Sequence, residues 1–241
     1  MDVVGHINVR SLMAPGRLAE LKLFSSMHEP DVLCVTETWL TNKHLDQTLA
    51  ISGYQLPIRC DRKFSRGGGV ASYLRNGLAV SRLPIVATTE LSQVFEHVAI
   101  RLDFPKRKTL YVFAVYRPPK QDMEVFLDCL EKAITPYSHK NVLLVGDFNA
   151  KHMIWYQSQA TDAEGERLKA FTDCQQLFQL VEGPTLECPT SSHQSLLDLI
   201  FTNRPANCTS TCVLPPLADH CAVTTHLSLK NSQRPKPYRS E

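Results

Sequence analysis

Polar residues stand where apolar runs stop, at several places along the chain. Asn8 ends the run that starts at Val3, Glu37 the run from Asp31, and Tyr116 the run from Thr109. Asp147 and Asn149 follow Val142-Leu143-Leu144-Val145-Gly146, Asp198 lies inside Leu196-Leu197-Asp198-Leu199-Ile200-Phe201, and Asp219-His220 open the final run. Short runs of branched apolar residues read as strands covered on both faces, and strand ends are where such proteins present polar chemistry. Asp147 and Asn149 are two apart, so an extended backbone turns both side chains to one side and Phe148 into the core. A carboxylate that can take a proton then sits beside an amide that donates and accepts, a pair suited to activating and aligning water. Asp198 is flanked by leucine and isoleucine and needs a partner, because an unpaired buried charge costs several kcal/mol. His220 is the obvious one, since a carboxylate that orients an imidazole and keeps it protonated recurs in catalysis. Singly, these residues have plain alternatives: Asn8 and Tyr116 as caps or packing residues, Glu37 in a solvated turn. Their recurrence at separate strand ends points to hydrolysis.

The elements that must position them are mostly strands. Val3 to Asn8, Asp31 to Glu37, Glu96 to Leu102, Thr109 to Tyr116, Asn141 to Gly146, Leu196 to Thr202, Thr209 to Leu214 and Cys221 to Leu229 read as strands. Gly67-Gly68-Gly69 leads into another, ending near Leu74, and lacks the Gly-Lys-Ser/Thr ending of a phosphate-cradling loop. Arg75-Asn76-Gly77 reads as a hairpin-like turn. Three helices are marked by apolar spacing: Gly16 to His28, then Met123, Phe126, Leu127, Leu130 and Ile134, then Leu168, Phe171, Cys174, Leu177 and Phe178. Helices are too few to cross over between every pair of strands. Two packed sheets flanked by helices account for the pattern better than a single parallel sheet.

With 241 residues, 43% of them hydrophobic, the chain can build one large core. The net charge of +2 permits nucleic acid without arguing for it. Met1 to Arg10 holds an acid and no long apolar run, unlike a secretory signal, and nothing approaches the ~20 apolar residues of a membrane span. Cys34, Cys60, Cys129, Cys174, Cys188, Cys208, Cys212 and Cys221 lie mostly in apolar runs and read as reduced core thiols of an intracellular protein. A zinc site from Cys208, Cys212, His220 and Cys221 lacks the usual tight Cys-x-x-Cys pair. Residues 1–229 read as the folded unit, and 230–241, polar and basic with two prolines, as a tail or linker.

The segments Ile7-Asn8-Val9-Arg10, Val35-Thr36-Glu37-Thr38, Ala114-Val115-Tyr116-Arg117, Gly146-Asp147-Phe148-Asn149, Leu197-Asp198-Leu199-Ile200 and Ala218-Asp219-His220 occur in the order found in the endonuclease/exonuclease/phosphatase (DNase I-like) superfamily. Any one motif is weak; their order, from about Val3 to about Leu229, is what carries the resemblance. Within the superfamily the chain most resembles the apurinic/apyrimidinic-type endonuclease domain of non-LTR (LINE-type) retrotransposons, through Asn8-Val9-Arg10-Ser11-Leu12, Thr36-Glu37-Thr38-Trp39-Leu40, Tyr116-Arg117-Pro118-Pro119, Asp147-Phe148-Asn149-Ala150-Lys151-His152 and Asp198-Leu199-Ile200-Phe201-Thr202-Asn203.

The resemblance implies an α/β four-layer αββα sandwich whose two sheets are mostly antiparallel. It implies a Mg²⁺-dependent DNA endonuclease, with Mn²⁺ able to substitute, that leaves a 3′-hydroxyl to prime reverse transcription. Glu37 would be the main metal ligand, helped by Asn8 and, through water, by Asp219. Asp147 would take the proton of the attacking water and Asn149 align it. His220, paired with Asp198, would stabilise charge on the scissile phosphate, which Tyr116 would also contact. Arg117, Lys151 and His152 adjoin these motifs and are candidates for DNA phosphate contact. A hairpin at about Glu187 to Ser195 would enter the DNA groove. A reverse transcriptase domain in the same polyprotein, a nuclear location and a monomeric domain are also implied. Two departures stand out. Ala218 replaces the family's usual serine, and 160–165 replaces a common Asn-x-Arg-Gly element, which leaves that loop's geometry open. Two other readings stay open: a phosphatase or phosphodiesterase for small phosphoesters, and an inactive nucleic-acid-binding relic.

Overall fold

The structure is a computed structural model describing residues 2–63, 65–84, 95–104, 108–187 and 194–229. In chain order the strands are β1 (Asp2–Asn8), β2 (Val32–Thr36), β3 (Ile58–Cys60), β4 (Val70–Leu74), β5 (Ala79–Arg82), β6 (Glu96–Asp103), β7 (Leu110–Tyr116), β8 (Asn141–Asp147), β9 (Phe178–Gln179), β10 (Leu186–Glu187), β11 (Gln194–Ser195), β12 (Asp198–Thr202), β13 (Cys208–Pro216) and β14 (Cys221–Leu227). The helices are α1 (Arg17–His28), α2 (Met123–Ile134) and α3 (Ala163–Cys174).

One six-stranded sheet runs β13-β14-β1-β2-β4-β3 and the other β5-β6-β7-β8-β12-β9; β10 and β11 pair separately. Each large sheet is mixed, with one parallel pair at its centre: β1 with β2, and β7 with β8. Parallel neighbours need a crossover, and α1 and α2 supply the two. The remaining pairs are antiparallel. Alternation along β2 shows the layering. Val32 and Cys34 join the core between the sheets, while Leu33 and Val35 pack with Leu21 and Phe24 of α1 on the outer face. On the far side, α2 lays Phe126 and Leu130 over the second sheet, and α3 adds Leu168. The layers are thus helix, sheet, sheet, helix pair, as expected.

Three local readings are corrected. Arg75-Asn76-Gly77 does turn the chain, with Leu78 N–H on the Arg75 carbonyl at 3.3 Å. It is not a hairpin, because β4 pairs with β2 and β3 while β5 pairs with β6. The turn therefore carries the chain from one sheet to the other. The third helix stops at Cys174: Gln176 turns left-handed (φ 53) and the Leu177 amide bonds the Thr172 carbonyl at 2.8 Å, so Phe178 begins β9. Among the described cysteines none forms a disulfide, and Cys174 and Cys212 are exposed rather than in the core. Cys188, the centre of the expected groove hairpin and the tail from 230 lie outside the described residues.

Gly146 is where packing dictates composition. A Cβ there would land on the Val115 carbonyl oxygen across the β7–β8 pair. Gly146→Ala is expected to lower stability by roughly 2–4 kcal/mol, read as a shift in urea midpoint. An unchanged midpoint would contradict the close approach.

Candidate active site

The two parallel pairs end together. Asn8 closes β1, Glu37 follows β2, Tyr116 closes β7 and Asp147 closes β8. Register places Glu96, Tyr116, Asp147 and Asp198 in one row across the second sheet, each the direct partner of the next. Direct partners share a face with Cβ atoms about 5 Å apart, so the row is a continuous polar strip. Asn8 reaches it from the first sheet: its Nδ2 donates to Glu37 Oε1 and to Asp147 Oδ2, both at 2.9 Å. Trp39 Nε1 donates to the other Glu37 oxygen at 3.2 Å, and Tyr116 also hydrogen-bonds Glu37. Glu37 and Trp39 both have positive φ (51 and 54), in a loop whose Thr38 and Trp39 amides bond the Gly69 and Gly68 carbonyls.

Asp147 and Asp198 are buried like charges on adjacent strands. His220 resolves the conflict by giving Nδ1 to Asp198 Oδ2 at 2.7 Å. Burial, then the charge on Asp198, push the Asp147 carboxyl up to about 7, against His220 and the bonds from Asn149 and Asn8. Burial opposes charge on His220, but the charge and hydrogen bond of Asp198 outweigh it and raise the imidazole to about 9. For Asp198 too, burial is the largest influence and favours the proton; His220, then His6, overcome it and hold the carboxyl below its ordinary value. Tyr116 stays a phenol, because burial and the charges of Glu37 and Asp147 raise it far above neutral pH. A carboxylate poised to take a proton thus lies beside an imidazolium that is a fixed positive donor, which is the separation of roles expected of an acid–base site.

Asn149 joins the site by another route than alternation. β8 ends at Asp147, and Asn149 is left-handed (φ 45). Its backbone N–H donates to Asp147 Oδ1 at 3.0 Å and its side-chain amide to the Arg117 carbonyl at 2.9 Å. Phe148 does point into the core, edge-on to Phe126 and Phe201.

Arg117 lies away from the surface. Its side chain is inward, 1% exposed, with Nη1 on the carbonyls of Phe148 and Asn149 and Nη2 on that of Gln121. It braces the loop after Asp147 from beneath. His152 is also buried, Nδ1 accepting from the Ile154 amide at 3.1 Å and the ring against Trp155. Lys151 alone of the three keeps a half-exposed position, its amide tied to Asp162, the N-cap of α3.

Among the described residues, one set of three potential ligand side chains lies within 4.8 Å of one another: Asp147, Asp198 and His220. These three side chains could hold a metal ion. Glu37, a hard oxygen donor, lies beside them, linked to Asp147 through Asn8. Asn8 Nδ2 bridges the two carboxylates and its Oδ1 accepts the Arg10 amide at 3.1 Å. Asp219 is engaged by Arg10 in an ion pair through Oδ2.

A family model described as "Endonuclease-reverse transcriptase" matches residues 110–224, just under half of the chain. The RNA-directed DNA polymerase from the mobile element jockey of Drosophila melanogaster is 28% identical over 152 residues, which are 63% of this chain and 15% of that protein. Among solved structures, the endonuclease domain of TRAS1, a telomere-specific non-LTR retrotransposon, superposes with a TM-score of 0.77 at 19% identity, covering 95% of this chain and 99% of that one. The fold of the chain is that of this solved structure, and residues 110–224 are similar to the endonuclease-reverse transcriptase family. A further DNase I-like structure, the AP endonuclease LMAP of Leishmania major, gives a TM-score of 0.75 at 14% identity, covering 93% and 86%. The family-model match contains Tyr116, Asp147, Asp198 and His220 but not Asn8 or Glu37. The first sheet supplies those two, and the site is compatible with a metal-dependent hydrolase.

Sequence reasoning overlooked several partners. His6 lies under Asp198, Thr36 beside His6, and Glu96 at the end of the polar row, where it is bound by Arg62 and the Gly69 amide. Thr185 accepts the amides of Leu197 and Asp198 and, through its carbonyl, that of Cys221. His6 had a legible signal, two residues from Asn8 on one face of a strand. Thr185 had none, since its role depends on where β10 and β14 meet.

Proposed function

We propose that the chain is the endonuclease of a non-LTR-type retroelement, nicking DNA to leave a 3′-hydroxyl that primes reverse transcription. The observation that carries this reading is the strip itself, with Tyr116, Asp147 and Asp198 in register, Asn8 joining Glu37 to Asp147, and His220 on Asp198. Asp147 takes a proton from water as that water attacks phosphorus in line with the P–O3′ bond; the bond breaks and the departing O3′ takes a proton from solvent to become the 3′-hydroxyl. His220, held protonated by Asp198, and the Tyr116 hydroxyl donate to the phosphoryl oxygens as negative charge builds. Asn149 fixes the orientation of Asp147 through its amide. Glu37 would hold Mg²⁺, whose chemistry is to neutralise charge on the phosphate and the leaving oxygen. Mn²⁺ is expected to substitute.

Beside the strip, a cavity of about 730 Å³ is lined by Lys43, Arg59, Arg62, Lys63 and Arg82, with Asp61 its one acid. Arg62 joins it to the site, lying 5.8 Å over the Tyr116 ring and paired with Glu96. A cationic cleft at this place favours a polyanion over a small phosphoester. Reversing Lys43 and Lys63 to glutamate is expected to weaken DNA binding and flatten its salt dependence by about 0.9 per lost phosphate contact, measured by anisotropy. Cleavage of a small phosphodiester should stay unchanged. A salt slope equal to wild type would remove the cavity from the DNA path.

No helix among the described residues is long and apolar enough to cross a membrane. The retroelement reading places the protein's work in the nucleus, with a reverse transcriptase in the same polyprotein as partner. Plasmid nicking run beside a phosphate-release assay tests it against the phosphatase alternative.

A further inference from the structure

His6 lies wholly buried on β1 and takes no part in the reaction steps just given. It shares a face with Asn8, turned into the space between the sheets. Its Nε2 lies 3.0 Å from Thr36 Oγ1, and its Nδ1 lies 3.5 Å from Asp198 Oδ1. Both facing atoms, His6 Nδ1 and Asp198 Oδ1, are buried, and neither has a hydrogen bond within ordinary geometry among the described residues. Buried polar atoms seldom stay unpaired, and a closure of a few tenths of an ångström joins these two.

The partners fix the tautomer. An ionised carboxylate only accepts, so the single N–H of a neutral His6 belongs on Nδ1, and the Thr36 hydroxyl donates to Nε2. Burial keeps the ring neutral, pushing it down to about 4 against the charge of Asp198. Asp198 Oδ2 already holds His220. Both imidazoles come from the first sheet or its edge, and the carboxylate from the second.

We propose that His6 is a positioning residue: as its Nδ1–H tautomer it donates to Asp198 Oδ1 and fixes the rotation of the carboxylate, so that Oδ2 stays aimed at His220. The kinetic part rests on the nuclease role given to Asp198; the tautomer does not.

The first test is imidazole ¹⁵N spectroscopy on the whole, metal-free protein without DNA. His6 is expected to show a protonated Nδ1 and a bare Nε2 at neutral pH; a proton on Nε2 would overturn the proposal whether or not the protein nicks. The second test compares three variants. His6→Asn keeps an N–H near the Nδ1 position, His6→Gln puts one near Nε2, and His6→Phe has neither. The Asn variant is expected within a few-fold of wild-type kcat, and the Gln and Phe variants down by about 10–100-fold with KM for DNA unchanged. If Phe fails to fold, the Asn–Gln contrast still decides. Equal kcat in Asn and Gln, or a loss confined to KM, would refute the positioning role. A wild type that never nicks would count against the nuclease reading and leave the spectroscopic result standing.

Discussion

Asp147→Asn is expected to lower kcat for DNA nicking by about 10²–10⁴-fold, the usual worth of a positioned general base. Asparagine keeps the shape and leaves the strip in place, so the fold should survive. The substitution also carries a stability signature that activity cannot mimic. The Asp147 carboxyl is raised to about 7 in the folded, metal-free protein by burial and by Asp198. With the folded value above the unfolded one of about 4, its contribution to stability is complete below that lower value. It is lost as pH climbs through 7. Metal-free wild type should therefore lose stability relative to Asp147→Asn across that interval, read as converging and crossing denaturation midpoints. A variant that nicks at the wild-type rate, or a pair of parallel stability profiles, would show that Asp147 is neither base nor strained.

His220→Ala carries the second large effect. It removes the proposed donor to the phosphoryl oxygens and also the partner of Asp198. Loss of a single preorganised donor costs about 10²–10³-fold in kcat. Here a buried carboxylate is left without its main counter-charge as well, at a cost of roughly 3–5 kcal/mol for breaking a buried pair. Both activity and stability should fall, and both should be measured. His220→Gln, which can still hydrogen-bond Asp198, should recover stability more than turnover. In wild type, activity should rise as Asp147 deprotonates near 7 and fall only as the imidazole, raised to about 9, loses its proton. A falling limb centred near 6.5 would mean that Asp198 does not hold the charge.

Much of this was legible in the chain because each site residue closes an apolar run. Asn8, Glu37, Tyr116 and Asp147 stand at the ends of buried strands, and period-two patterning locates such ends well. Asp198 announced itself as an acid among aliphatics, and the structure pairs it with His220. What stayed hidden depends on which strands become neighbours. The Arg75-Asn76-Gly77 turn looks the same whether it joins paired strands or crosses between sheets. Arg117 sits next to Tyr116 and reads as a DNA contact until its guanidinium is found on three carbonyls beneath the loop. Asn149 reached its place through a left-handed residue that alternation does not foresee. Asn8 and Asp219 read as metal ligands from their motifs, and their hydrogen-bond partners, Glu37 and Asp147 for the first and Arg10 for the second, were not legible.

The central claim is a metal-dependent nick that leaves an extendable end. The direct measurement is relaxation of supercoiled plasmid by the purified protein with Mg²⁺, with and without EDTA, followed by extension of the nicks with a DNA polymerase. The expected result is nicking with Mg²⁺ that EDTA abolishes, at ends extended without prior treatment. Nicking that persists in EDTA, no nicking above the buffer control, or ends that need a phosphatase before extension would contradict it.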